Sequence, residues 1–138
     1  MAKSKTDKST HRRFREPKDK EAFHLLHNHE IDRFHQKIEG MKEVDFSGCS
    51  LRGVDFRRVD MRRINIQGSY LRGADLRGVD LRAHDLEGCS FHDSIISGSY
   101  LPPNVTPDEV IMSIRHGTRI RTTGPLPAPV EDDENGDD

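Results

Sequence analysis

Residues 44–103 read, in fives, VDFSG CSLRG VDFRR VDMRR INIQG SYLRG ADLRG VDLRA HDLEG CSFHD SIISG SYLPP. The third letters are Phe46, Leu51, Phe56, Met61, Ile66, Leu71, Leu76, Leu81, Leu86, Phe91, Ile96 and Leu101, apolar without exception. The next position (Ser47, Arg52, Arg57, Arg62, Gln67, Arg72, Arg77, Arg82, Glu87, His92, Ser97, Pro102) holds no residue of that class. With 32% of the chain hydrophobic, such a run in one register arises by chance on the order of once in a million. The fifth position takes seven of the eleven glycines.

A period of five matches neither a helix nor an alternating strand. It suits a chain that turns a corner every five residues and points one large side chain inward from each side. The first position is mostly small or β-branched and can also face in. The second, fourth and fifth are mostly polar, charged or glycine, as an outer wall and its corners require, and glycine accepts corner angles other residues resist. Stacked turns then pair backbone amides about 4.8 Å apart.

This pattern resembles the pentapeptide-repeat family, whose consensus is Ala-(Asp/Asn)-Leu-X-X. Ala74-Asp75-Leu76-Arg77-Gly78 matches it outright and Val79-Asp80-Leu81-Arg82-Ala83 nearly so. The resemblance implies an all-β solenoid, a right-handed quadrilateral β-helix with four pentapeptides per coil. Twelve pentapeptides make three coils, a stack of roughly 14 Å at the sheet spacing. The columns are then Phe46, Ile66 and Leu86; Leu51, Leu71 and Phe91; Phe56, Leu76 and Ile96; and Met61, Leu81 and Leu101. Cys49 and Cys89 share an inward column with Ser69 between them. Two coils separate them by about 10 Å, beyond the roughly 7 Å a disulfide spans, so free and inert thiols are expected.

Some positions depart from the pattern. His84 stands where a small residue belongs and is read as a local bulge or a partly exposed ring. Arg58 and Arg63 replace corner glycine and form a basic cluster with Arg57 and Arg62, beside Asp55 and Asp60. Tyr70 with Arg52 and Arg72 makes a second, flatter patch. These residues, with Arg77, are the candidate interaction surface.

An open stack exposes apolar residues at both ends and needs caps. Downstream, Thr106-Pro107-Asp108-Glu109 is a helix start with a hydroxyl N-cap, proline in the first turn and an acid at N3. Val110, Ile111 and Ile114 are expected on one face and Gly117 at the stop, a short capping helix over Phe91, Ile96 and Leu101. Upstream, Pro17 to Glu39 reads as one helix ending at Gly40, with Phe23, Leu26, Ile31, Phe34 and Ile38 on a broad stripe. At some 33 Å it would outrun the stack, so part caps Phe46 and Leu51. The rest projects as an arm or meets another subunit, with self-association into a homodimer preferred. His24, His27, His29 and His35 lie here with Glu30 and Asp32. Only His24 and His27 share a face, and two ligands make no metal site.

The chain carries 22 Lys+Arg against 24 Asp+Glu, unevenly spread. Residues 1–20 hold eight basic and three acidic groups, residues 44–101 eight Arg and eight acids, and residues 102–138 three Arg and eight acids. The expected organisation is a disordered basic arm at 1–16, a helical cap at 17–43, repeats at 44–103, a capping helix at 104–117 and a disordered acidic tail at 118–138. With no apolar segment of membrane length, no secretory leader and two cysteines, the chain is expected to be soluble and cytoplasmic. Repeats of this kind are commonest in bacteria.

No phosphate loop, metal quartet or nucleophile with a positioned base is present, so neither catalysis nor a cofactor is expected. The repeat instead points to protein binding through the outer walls. By resemblance, the second reading is imitation of duplex DNA toward DNA gyrase or topoisomerase, an activity tied to fluoroquinolone resistance. That needs a long acidic rod, whereas these coils are short and balanced in charge. The third reading is nucleic-acid contact through the basic arm.

Overall fold

The computed structural model describes residues 14–127. Its elements are α1 (Lys20–His27), α2 (Ile31–Ile38), β1 (Val44–Asp45), β2 (Ile64–Asn65) and α3 (Pro107–His116). β1 and β2 pair in parallel, Val44 with Ile64 and Asp45 with Asn65. Isolated parallel bridges repeat the offset: Ser50 with Tyr70, Asp55 with Asp75, Tyr70 with Ser90, Asp75 with Ile95 and Asp80 with Tyr100. The chain therefore returns beside itself every twenty residues. Regular strand is scarce because each side pairs over about two residues before it bends.

The bends are local and uniform. At each corner the first-position N–H donates to the preceding third-position carbonyl, from Cys49 to Phe46 (3.1 Å) through to Ser99 to Ile96 (2.9 Å). The seven corner glycines take φ between 68° and 79°. At Gly88 this matters twice, since φ is left-handed and an added Cβ would lie 3.4 Å from the Gly68 Cα one turn above. Third-position side chains from Phe46 to Phe91 are buried, whereas Ile96 and Leu101 are only partly covered.

Cys49 and Cys89 are buried and unbridged. The Cys89 thiol donates to the Ile66 carbonyl (3.1 Å), and burial pushes its pKa up to about 11. Neither sulfur is poised for exchange, because the thiolate is the reactive form.

The upstream segment is two helices rather than one. Asp19 caps α1 by accepting from the Ala22 N–H (3.0 Å), and α1 ends at Asn28 and His29, the latter at φ 63°. The turn folds α2 back so that Leu25, Leu26, Ile31, Phe34 and Ile38 all face the first turn of repeats. Phe23 and Phe34 place their rings 5.4 and 6.3 Å from Phe46. The stripe expected to assemble subunits is thus buried in the chain's own core, with Phe23 half-buried at its margin. Among the described residues, no arm projects from this region.

Downstream, Thr106 caps α3 through the Glu109 N–H and Gly117 closes it at φ 75°. Val110 and Ser113 face the stack, and Ile111 is exposed rather than buried, because one residue rotates it about 100° from Val110. The tail expected to be disordered from residue 118 instead continues the structure. Arg119 bridges Ser90 in antiparallel sense, Gly88 donates to Ile120 and Ile120 to Cys89 (both 2.8 Å), and Ile120 is buried. Residues 118–127 hold two arginines and no acid, so the acidic run begins beyond them. At the other end Arg15 donates its N–H to the Gly48 carbonyl (2.9 Å), so the arm is structured at least from Phe14. The remaining arm and tail, 1–13 and 128–138, lie outside the described residues.

Candidate interaction surface

Each outer wall is built from the second and fourth positions, two residues apart on one extended side and therefore on the same face. Where these are Asp and Arg, a fork closes between them. Asp55 Oδ1 accepts the Arg57 backbone N–H and Nε–H (both 3.0 Å), and Oδ2 accepts Nη2 (2.8 Å). Asp60–Arg62, Asp75–Arg77 and Asp80–Arg82 repeat this geometry, with Nη2 to Oδ2 distances of 2.7, 2.7 and 2.8 Å. Arg57 also reaches Asp75 on the next turn, Nε to Oδ2 3.3 Å. Bidentate pairing holds both side chains flat and cancels their charge locally.

The arginine hydrogen bonds hold Asp55 and Asp80 at pKa values of about 2, with Asp60 and Asp75 lowered for the same reason. A carboxylate lowered in the folded state contributes stability that is complete above its unfolded value, about 4, and is lost as pH falls toward the folded one. The thermal midpoint is expected to hold from pH 7 to about 4.5 and to drop between roughly pH 4 and 2. A loss already complete above pH 5 in a thermal melt series would assign acid lability to other groups.

The arginines singled out in the sequence are not one patch. Arg57, Arg62 and Arg77 are held in forks. Arg58 lies 3.8 Å from Asp32 on α2, and Arg63 donates to the Met41 carbonyl (2.8 Å) and the Ile38 carbonyl (3.3 Å), clamping the helical cap to the stack. Tyr70 and Arg72 do form a local group: the Tyr70 phenol raises the Arg72 pKa, Asp93 lies 3.8 Å from the guanidinium, and Phe14 stacks 5.4 Å from the Tyr70 ring. Arg52 is exposed on the same wall, with no ion pair among the described residues. Tyr100, which drew no notice in the sequence, is 56% exposed on the last turn with the Arg82 guanidinium 5.0 Å from its ring centre.

Two of the histidines serve the cap rather than solvent. The first turn has no turn above it, so its backbone groups need other partners. His35 Nε2 accepts the Asp60 N–H (3.0 Å), and His27 Nε2 meets the Ser50 carbonyl (3.1 Å). His24 and His29 are exposed. Among the described residues, no group of three or more His, Cys, Asp or Glu side chains is arranged to hold a metal ion, and no helix is long and apolar enough to cross a membrane.

The walls contain one break. In the paired regions a third-position N–H donates to the second-position carbonyl one turn on, as Leu51 does to Tyr70 (2.7 Å) and Leu71 to Ser90 (2.8 Å). The second-position N–H donates back, as Tyr70 does to Cys49 (3.0 Å). Among the described residues, no such bonds join Met61 or Val59 to Asp80, nor Ile66 or Ile64 to Asp85. Arg58 likewise lacks the corner bond that Gly53 makes to Arg72 (2.8 Å). The seam runs where corner glycine is replaced by Arg58, Arg63 and Ala83, none of which takes positive φ. His84 stands at its bend with Nε2 2.9 Å from the Met61 carbonyl and Nδ1 buried without a partner. A cleft of about 1050 Å³ opens there, lined by Val59, Met61, Val79, the Asp60–Arg62 and Asp80–Arg82 forks and His84. The irregular corners were visible in the sequence, but their joint effect on pairing was not.

A family model described as pentapeptide repeats matches residues 41–78, 56–93 and 65–101, in eight copies. Comparison with curated proteins and with solved structures gives no match. The matched stretch begins just before the first apolar third position and ends on the last, so the corners and twenty-residue pairing seen in the structure fall within it. Residues 41–101 are therefore a run of pentapeptide repeats, the part of the chain that the family model covers.

Proposed function

We propose that the stacked turns form a right-handed quadrilateral β-helix of three coils, and that this rod is a non-enzymatic scaffold that binds another protein through its outer walls. The Asp–Arg forks carry the reading. They fix four guanidinium groups and four carboxylates in flat rows, leaving donors and acceptors presented with little side-chain freedom to lose on binding. The Tyr70–Arg72–Asp93 group supplies an aromatic and a cation side by side, the residue types that dominate binding hot spots. The forks also argue against imitation of DNA, which needs uncompensated negative charge facing a basic groove. Here the wall carboxylates at 55, 60, 75 and 80 each have their own arginine. Nucleic-acid contact would rest on the basic arm, outside these walls.

Affinity capture with the wild-type protein and a Tyr70→Ala/Arg72→Ala double variant tests this. The expected result is a partner retained by the first and lost by the second, at equal thermal midpoint. A partner held equally by both, or inhibition of gyrase supercoiling by stoichiometric protein, would overturn it.

A further inference from the structure

The seam between turns has the hydrogen-bonding polarity of a missing strand. Its upper rim presents the N–H groups of Met61 and Ile66 with the carbonyls of Val59 and Ile64. Its lower rim presents the carbonyls and N–H groups of Asp80 and Asp85, and none of these is paired across the gap. Equivalent groups on the other sides are bonded at 2.7–3.1 Å. We propose that this seam is a binding slot for an extended peptide of a partner protein, taken up by main-chain hydrogen bonds between residues 58–66 and 77–85.

The occupant follows from what the rims offer. Donors and acceptors alternate along both edges, and a polypeptide backbone supplies the complementary alternation on its two edges. An inorganic anion would satisfy only the N–H groups. Both rims run in the same direction, so a peptide laid between them pairs in the same sense, parallel or antiparallel, with both. Its inward side chains meet Val59, Met61 and Val79, which selects apolar residues at alternate positions. Its outward side chains meet the Asp60–Arg62 and Asp80–Arg82 forks, which are already neutral and select against a strongly charged segment of either sign. At the bend, His84 donates from Nε2 to Met61, so Nδ1 of the neutral ring is an acceptor lacking a donor. Tyr70 and Arg72 take no part, so the slot can be tested apart from the Tyr70–Arg72–Asp93 group, although it shares the Asp60–Arg62 and Asp80–Arg82 forks with the walls proposed above.

The probe is a synthetic capped decapeptide copying residues 74–83, two regular pentapeptides that bend at their own glycine. Hydrogen exchange followed residue by residue on the full chain reads the result. Without peptide, the amides of Met61, Ile66, Asp80 and Asp85 are expected to exchange at least about tenfold faster than those of Leu51, Tyr70 and Leu71. With peptide they become protected, with Kd on the order of 10–1000 μM. An Arg58→Gly/Arg63→Gly/Ala83→Gly/His84→Val variant, which restores the three corner glycines and the column residue, closes the seam and weakens peptide binding at least about tenfold. The Tyr70→Ala/Arg72→Ala protein binds the peptide as wild type does. If the four amides are as slow as Leu71 without peptide, the seam is closed and the proposal fails. It also fails if about 5 mM peptide protects none of them, or protects only Ile96 and Leu101 at the far end of the stack. Should the closing variant not fold, the wild-type exchange experiment alone decides.

Discussion

Replacing Leu76 with alanine is expected to lower the unfolding free energy by about 3–5 kcal/mol, the upper part of the range for buried leucine. Leu76 is fully buried in the middle turn, between Phe56 above and Ile96 below. Large-to-small substitutions cost least where the surroundings can collapse into the vacated space. Here they cannot, because the walls are pinned on both sides. Phe56 donates to the Asp75 carbonyl (2.9 Å), Leu76 to Ile95 (2.8 Å) and Gly78 to Ser97 (3.0 Å). Shrinking the cavity would mean breaking several of these bonds together. Leu101→Ala provides the internal comparison, since that side chain is only partly covered at the end of the stack and should cost about 1 kcal/mol. Chemical denaturation with unchanged m-value measures both. Equal losses at Leu76 and Leu101 would contradict an interior held rigid by ladder bonds.

The second large effect lies in the helical cap. Phe34→Ala is expected to destabilise the protein by about 3–5 kcal/mol, a substantial part of an ordinary domain's 5–15 kcal/mol. Phe34 is fully buried against the first turn, and its loss opens the layer in which Phe46, Ile31 and Ile38 meet. The same substitution separates two uses of the amphipathic stripe. A residue inside its own chain's core changes the denaturation midpoint and leaves the sedimentation coefficient unchanged at any concentration. A residue at a subunit interface does the reverse near the dissociation constant. An oligomer that dissociates on Phe34→Ala with an unaltered midpoint would return the stripe to an assembly role.

The repeat region and the flanking segments differ in how much their residues reveal. Each five-residue unit carries its own information: an apolar third position that must face inward and a corner residue that tolerates left-handed φ. The inward columns from Phe46 to Phe91 could therefore be listed before any coordinates. The helical cap was harder. The stripe was visible, but the five-residue step from Leu26 to Ile31 is one too many for a continuous helix face, and it marks the turn at Asn28 and His29. Reading through that step made one long helix with surplus length, and the surplus in turn suggested an arm or a partner subunit. The C-terminal segment erred in the same direction. The acidic run at 131–138 coloured the whole tail, although Thr118 to Thr123 is β-prone and free of acids.

The walls mark the limit of inference from residue order. Asp and Arg two apart were evident, and so was the replacement of corner glycine at 58 and 63. Whether an arginine closes a fork with its own aspartate, reaches the next turn or clamps a helix depends on which groups the stack brings beside it. The seam depends on more still. It needs three irregular corners and one histidine, separated by up to 26 positions, to act on the same gap.

By itself the sequence determined the five-residue corner and the inward column, because those follow from side chains acting within their own unit, whereas the twenty-residue period of pairing was an implication of the resemblance. Only the tertiary structure decided where the helices break, what covers the ends and where the ladder fails to close. Those outcomes rest on backbone donors and acceptors whose partners come from a different turn or a different segment, and nothing in a residue's immediate neighbours states whether that partner will arrive.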